Sequence, residues 1–214
     1  MRSLAASALA LVAFAAGPAT AVPLTVSFEG TVEFIPAELA SVFTDGDLAS
    51  GSFQIESTTA DTVPANPDVG FYPGPTSWSF TFGSYTATSA GGTAQDYVRI
   101  DNDLVLGITI DLYSAEAFDV SGAAIGSFEP TRLGFSLNDA DTTAFSSDAL
   151  PTSLDLADFS QGGRASIRFD DPVSMTSATV TVVLTSVTVP EPGALALLGL
   201  AGIGLAAARA RRSR

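Results

Sequence analysis

The chain reads as an all-β protein built around a single antiparallel domain of the β-sandwich or jelly-roll kind, and three stretches carry that reading. Between residues 24 and 34, Leu24, Val26, Phe28, Val32 and Phe34 alternate with Thr25, Ser27, Glu29, Thr31 and Glu33. This is the period-two pattern of a strand with one buried face. Residues 77–82 repeat it, with Trp78, Phe80 and Phe82 on one side. In residues 179–189, Val180, Val182 and Leu184 lie in one phase and Val187 and Val189 in the other. A bulge near Thr185-Ser186 reconciles the two phases.

The remaining elements follow in order. Pro36 ends the first strand, and 37–43 suits one helical turn. Residues 51–56 predict a second strand. Residues 57–75 carry Pro64, Pro67, Pro73 and Pro75 and read as a long loop. Gly83 turns the 77–82 strand into 85–88. Further strands are expected at 98–100, 104–112, 117–120, 133–137 and 165–169. Residues 138–163, rich in Asp, Ser and Thr, read as a second long loop, with a helical turn at 154–159. Short strands punctuated by Gly, Asp and Pro, without βα alternation, point to a sandwich or jelly roll.

Composition limits the chemistry. The 214 residues include no cysteine and no histidine. Disulfides, thiol chemistry, Ser-His-Asp sites and Cys-based zinc sites are therefore excluded. All nine basic residues are arginines, and residues 22–189 hold four of them against 22 acids, a net charge of −18. Such a surface repels nucleic acid and anionic lipid. It attracts cations, although acidity also serves solubility alone.

The two ends differ from the middle. Arg2, the apolar run 4–16 and the small-x-small triplet Ala19-Thr20-Ala21 fit a signal peptide over 1–21, a helix cleaved before Val22. An uncleaved anchor is the alternative. At the other end, Pro190-Glu191-Pro192 precedes 16 uncharged residues, 193–208, and then Arg209, Arg211, Arg212 and Arg214. Sixteen residues make a short hydrophobic helix, at the lower limit for a bilayer span. The arginines act as a membrane stop on the cytoplasmic side. The prolines make an exposed break that a processing enzyme can reach.

This order of parts over 190–214 resembles the PEP-CTERM sorting signal, with Pro190, Glu191 and Pro192 matching its motif. The resemblance implies recognition by an exosortase, transient residence in the inner membrane and removal of the tail. It also implies delivery of the mature protein to the outer surface, among exopolysaccharide. A plain membrane anchor is the alternative. The domain at 22–189 more loosely resembles PEP-CTERM proteins of unassigned role, through Phe28-Glu29-Gly30-Thr31-Val32, Gly46-Asp47, Gly51-Ser52-Phe53 and Asn102-Asp103.

Candidate sites in the domain are few. Asp101, Asn102 and Asp103 form a compact oxygen cluster of the kind calcium accepts, and Asp139-Asp141 and Asp170-Asp171 are similar. Asp and Asn are equally the ordinary residues of turns. Phe71-Tyr72-Pro73 is a candidate aromatic platform for a sugar, whereas Trp78 shares a face with Phe80 and Phe82 and belongs in the core. The expectation is a non-catalytic surface or matrix component with polysaccharide or another matrix protein as partner, no nucleic acid and no cofactor unless calcium. The alternative is a carbohydrate-active enzyme using paired carboxylates.

Overall fold

The computed structural model describes residues 21–105 and 107–189. The expected signal helix with Ala19, the C-terminal hydrophobic helix, the motif Pro190-Glu191-Pro192 and the stop arginines Arg209, Arg211 and Arg212 lie outside these residues. Ala21 is included and is exposed. The described residues form strands β1 (Pro23–Phe34), β2 (Leu48–Glu56), β3 (Val69–Pro73), β4 (Thr76–Phe82), β5 (Tyr85–Gly91), β6 (Tyr97–Val105), β7 (Thr109–Ala117), β8 (Ser121–Gly122), β9 (Glu129–Asp139), β10 (Gly163–Asp171) and β11 (Thr176–Thr188). Two 3-10 turns, Ala37–Leu39 and Leu156–Asp158, fall inside the two helical stretches expected. Among the described residues no helix is long and apolar enough to cross a membrane.

Three strand boundaries differ from expectation. β3 lies inside the expected loop 57–75, where Val69-Gly70-Phe71-Tyr72 is long enough to pair with β6. The apolar run 104–112 is a hairpin and not one strand: β6 ends at Val105, Gly107 takes φ +88°, and β7 begins at Thr109. Periodicity alone does not separate a strand from two strand ends joined by a tight turn. Residues 118–120 lie outside any strand, since β7 stops at Ala117.

Every strand pairing is antiparallel, and all eleven strands belong to one sheet, ordered β3-β6-β7-β9-β10-β11-β1-β2-β4-β5-β8. The fold therefore has one continuous sheet where a sandwich has two. It achieves the same burial by curling. Phe28 of β1 and Phe53 of β2 approach Phe135 of β9 at 5.7 and 5.5 Å, and Tyr85 of β5 approaches Phe169 of β10 at 5.5 Å. One half of the sheet thus packs on the other.

A bent ribbon completes the curl. β3 runs into β4 through Gly74-Pro75. Across from it, the Gly74 amide donates to the Asp96 carbonyl and the Gly92 amide to that of Pro75. The β3–β6 and β4–β5 pairs are two limbs of one ribbon that serves both margins of the sheet. Gly91 is required there: it takes φ +66°, and a Cβ would stand 2.1 Å from the Pro75 carbonyl oxygen. The outer margin of β3 is sealed by its own preceding loop. The Phe71 amide donates to the Asp61 carboxylate, and its carbonyl accepts from the Thr62 amide and hydroxyl. An edge capped in this way offers no template for a further strand.

The expected bulge is present. β1 pairs Glu29 with Ser186 but Gly30 with Leu184, leaving Thr185 as the extra residue. The phase of β11 changes there, so Val182, Leu184 and Val187 all reach the core. Phe53 and Trp78 stack at 4.4 Å, and Phe28 meets Phe80 edge-on at 4.7 Å. Gly51 lies between Phe28 and Phe80 in the ladder, and a Cβ there would come within 2.6 Å of both rings. The missing side chain is what lets those rings meet. Trp78 is a core residue, 1% exposed, as expected.

Candidate functional site

Several aspartates sit buried at strand ends, and their hydrogen bonds show what each does. Asp139 ends β9 and is 1% exposed. It accepts from the amides of Asp141, Thr143, Ala144 and Ser160 and from the Thr143 hydroxyl, at 2.8–3.4 Å. Burial pushes its carboxyl up, but the hydrogen bonds from Ser160, Thr143 and Asp141 outweigh burial and hold it well below the usual carboxylate range. Asp171 ends β10 and accepts from the Ser127 hydroxyl and the amides of Val173 and Ser174. These bonds, Ser127 first, lower its pKa to about 2. Asp96 takes the amides of Thr93 and Phe118, and Asp111 those of Asp103 and Phe145. Each of these carboxylates replaces strand pairing for backbone amides that a loop would otherwise bury unpaired.

The Asp101-Asn102-Asp103 cluster is arranged differently. It occupies an irregularity of β6, where the pairing with β7 shifts between Asp101 and Leu104 and Asp103 takes φ +57°. Asp101 is fully buried, and one oxygen accepts both Nε and a terminal nitrogen of Arg99, at 2.9 and 2.8 Å. Its other oxygen, Oδ2, and the Asn102 Oδ1 are both buried without a partner among the described residues. Burial pushes the Asp101 carboxyl up, against the pull of Arg99. Asp103 is exposed and turns its amide to Asp111. Among the described residues, no three acidic side chains are grouped as a set of metal ligands.

The outer surface of the sheet has two chemistries. Over β6, β7, β9 and β10 it carries four arginines, each paired with an acid: Arg99 with Asp101, Arg132 with Glu116, Arg164 with Glu33 and Arg168 with Asp170, at 2.8–3.3 Å. Over β11, β1, β2, β4, β5 and β8 the register lines up hydroxyls. One rank runs Thr188, Ser27, Ser52, Ser79, Thr88, Ser121, each paired with the next. The neighbouring rank runs Ser186, Glu29, Ser50, Thr81, Thr86. Glu29 is the one charged residue in either rank. Where the ranks cross Gly51 they line a depression of about 520 Å³. A hydroxyl both donates and accepts, so this surface matches a partner that does the same. Sequence reading misses it, because each strand shows only an ordinary polar face and the ranks exist only in register.

The expected aromatic platform is half present. Tyr72 is buried, 5% exposed, and its hydroxyl donates to the Asp148 carbonyl at 2.8 Å. It holds the long loop after β9 against the core and is no platform. Phe71, on the other face of β3, is half-buried and stacks on Tyr97 at 4.9 Å.

The domain ends at β11, and its last paired residue, Thr188, adjoins the tail. A family model for the PEP-CTERM protein-sorting motif matches residues 188–212, a span that includes Pro190, Glu191, Pro192, Arg209, Arg211 and Arg212. The chain carries a PEP-CTERM sorting signal. The signal implies recognition by an exosortase and export through the membrane to the surface. The match begins on the last residue of β11, so domain and sorting signal abut without a spacer. It covers the tail alone and assigns nothing to the domain. No curated protein and no solved structure matched the chain.

Proposed function

We propose that the mature protein is a non-catalytic component of the extracellular matrix that lies against neutral exopolysaccharide through the hydroxyl ranks of β11, β1, β2 and β4. The observation that carries this reading is the depression lined by Ser27, Ser50, Ser52, Ser79, Thr81 and Ser186. It is a polar, nearly uncharged surface on a domain whose net charge is −18. A polyhydroxyl chain exchanges hydrogen bonds with such a face, and Glu29, the one charged residue lining the depression, accepts from its hydroxyls. The reading needs no resident cofactor. The buried aspartates Asp96, Asp111, Asp139 and Asp171 support a non-catalytic role, since backbone amides occupy their oxygens.

The test is affinity electrophoresis in gels containing the host's own neutral polysaccharide. The wild type is expected to be retarded, and Ser52→Glu/Ser79→Glu to lose most of that retardation. Equal mobility of the two proteins in the loaded gel, or release of reducing sugar by the wild type, overturns the reading.

A further inference from the structure

Strand directions fix where the chain enters and leaves the domain. β9 and β11 run the same way, because β10 lies antiparallel between them. β1 and β7 run the opposite way, each antiparallel to a neighbour in that pair. The start of β1, the end of β11, the end of β9 and the start of β7 therefore share one pole. The β6–β7 hairpin turn stands at that pole, and its described tip residues Val105 and Ile108 are 72% and 60% exposed. The β10–β11 turn, with Val173 and Met175 each 86% exposed, stands at the opposite pole.

The tail sets the distance. Only Pro190-Glu191-Pro192 separates Val189 from the uncharged run that begins at Gly193. At roughly 3.6 Å per residue, the Val189–Gly193 span reaches at most about 14 Å. A tail lying in a bilayer thus holds the exit pole against the lipid surface. An aliphatic turn without acid or base between Asp103 and Asp111 then faces the interface. Val105 and Ile108 gain by leaving water there, against the repulsion that the acidic domain, with the aspartates of loop 140–162 at the same pole, meets at anionic headgroups.

We propose that, before processing, the β6–β7 turn is a membrane-contacting element: Val105 and Ile108 sit in the lipid interface and orient the domain exit-pole down over the sorting motif. The partner is the bilayer surface itself. The proposal rests on the sorting signal and not on the polysaccharide reading, and the two fail separately.

The chain has no cysteine, so one introduced cysteine carries a unique label. Ile108→Cys and Val173→Cys are each labelled with an environment-sensitive fluorophore in the full chain. The labelled chains are reconstituted in phosphatidylethanolamine–phosphatidylglycerol vesicles containing a lipid with a nitroxide headgroup. Blue-shifted emission from buried Trp78 verifies that each labelled chain is folded. The expected result is that both chains float with the vesicles and that the label at 108 is quenched at least twofold more than the label at 173. Equal quenching at both positions, stronger quenching at 173, or a chain that does not float with the vesicles overturns the proposal.

Discussion

Asp139 and Asp101 are both buried strand residues next to an irregular segment, the first at the end of β9 and the second at the register shift of β6, yet they face opposite electrostatic circumstances. Asp139 is surrounded by donors, which hold it ionised and tie both ends of the loop 140–162 to β9. Asp101 has Arg99 on one oxygen and, among the described residues, no donor on the other, so burial dominates and pushes its carboxyl up. The difference shows that an acidic cluster is defined by the backbone amides around it and not by its own residues. In sequence, Asp101-Asn102-Asp103, Asp139-Asp141 and Asp170-Asp171 look alike as oxygen clusters. In the fold, Asp139 and Asp171 are loop anchors, and Asp101 is the member with an oxygen left over.

The sharpest way to break this contrast is Asp139→Ala. Four amides and a hydroxyl lose their acceptor, and water replaces it only in part. The expected loss is about 3 kcal/mol of stability, read by urea denaturation. A loss under about 1 kcal/mol would mean that the loop does not depend on this carboxylate.

Acid titration separates the two residues by sign. The carboxyls of Asp139 and Asp171 are lowered on folding, Asp171 to about 2. Their contribution is complete above the ordinary aspartate value and is lost as pH falls through the folded-state values. The carboxyl of Asp101 is raised. Its burial cost is fully present at neutral pH and is relieved as pH falls toward the ordinary value. Thermal midpoints of the wild type are expected to fall between pH 4 and pH 2, and those of Asp139→Ala to fall less over the same interval. Parallel pH profiles would refute the anchor role.

The smallest effect is expected for Asp101→Asn, which keeps the shape and removes a half-paired charge. Stability at neutral pH should change by less than about 1 kcal/mol. If instead millimolar calcium raises the midpoint of the wild type and not of this variant, the unpartnered oxygens belong to a cation site.

Much of the fold is legible in sequence because it follows from alternation. β1, β4 and β11 show clean period-two patterning, and the phase change near Thr185 locates the bulge. What escapes is whatever depends on pairing. β3 is hidden among prolines because its stability comes from β6 and from the caps on Phe71. The hairpin within 104–112 is hidden because both its strands are apolar. Tyr72 reads as a loop aromatic until the loop after β9 brings the Asp148 carbonyl to its hydroxyl. The sorting motif, by contrast, is entirely linear: Pro-Glu-Pro, an apolar run and arginines can be read without any fold.

The placement of β11 has a consequence for the order of events during export. It lies between β10 and β1 near the middle of the sheet, and it pairs residues such as Ser27 and Thr188 from opposite ends of the domain. A chain threaded outward from its N-terminus delivers this strand last, immediately ahead of the sorting signal. Until then β1 and β10 have no partner between them, and the two halves of the sheet cannot be zipped together. The sheet therefore closes only once β11, the last strand before the sorting signal, has been delivered, so that completion of the fold waits on the residues directly ahead of Pro190-Glu191-Pro192.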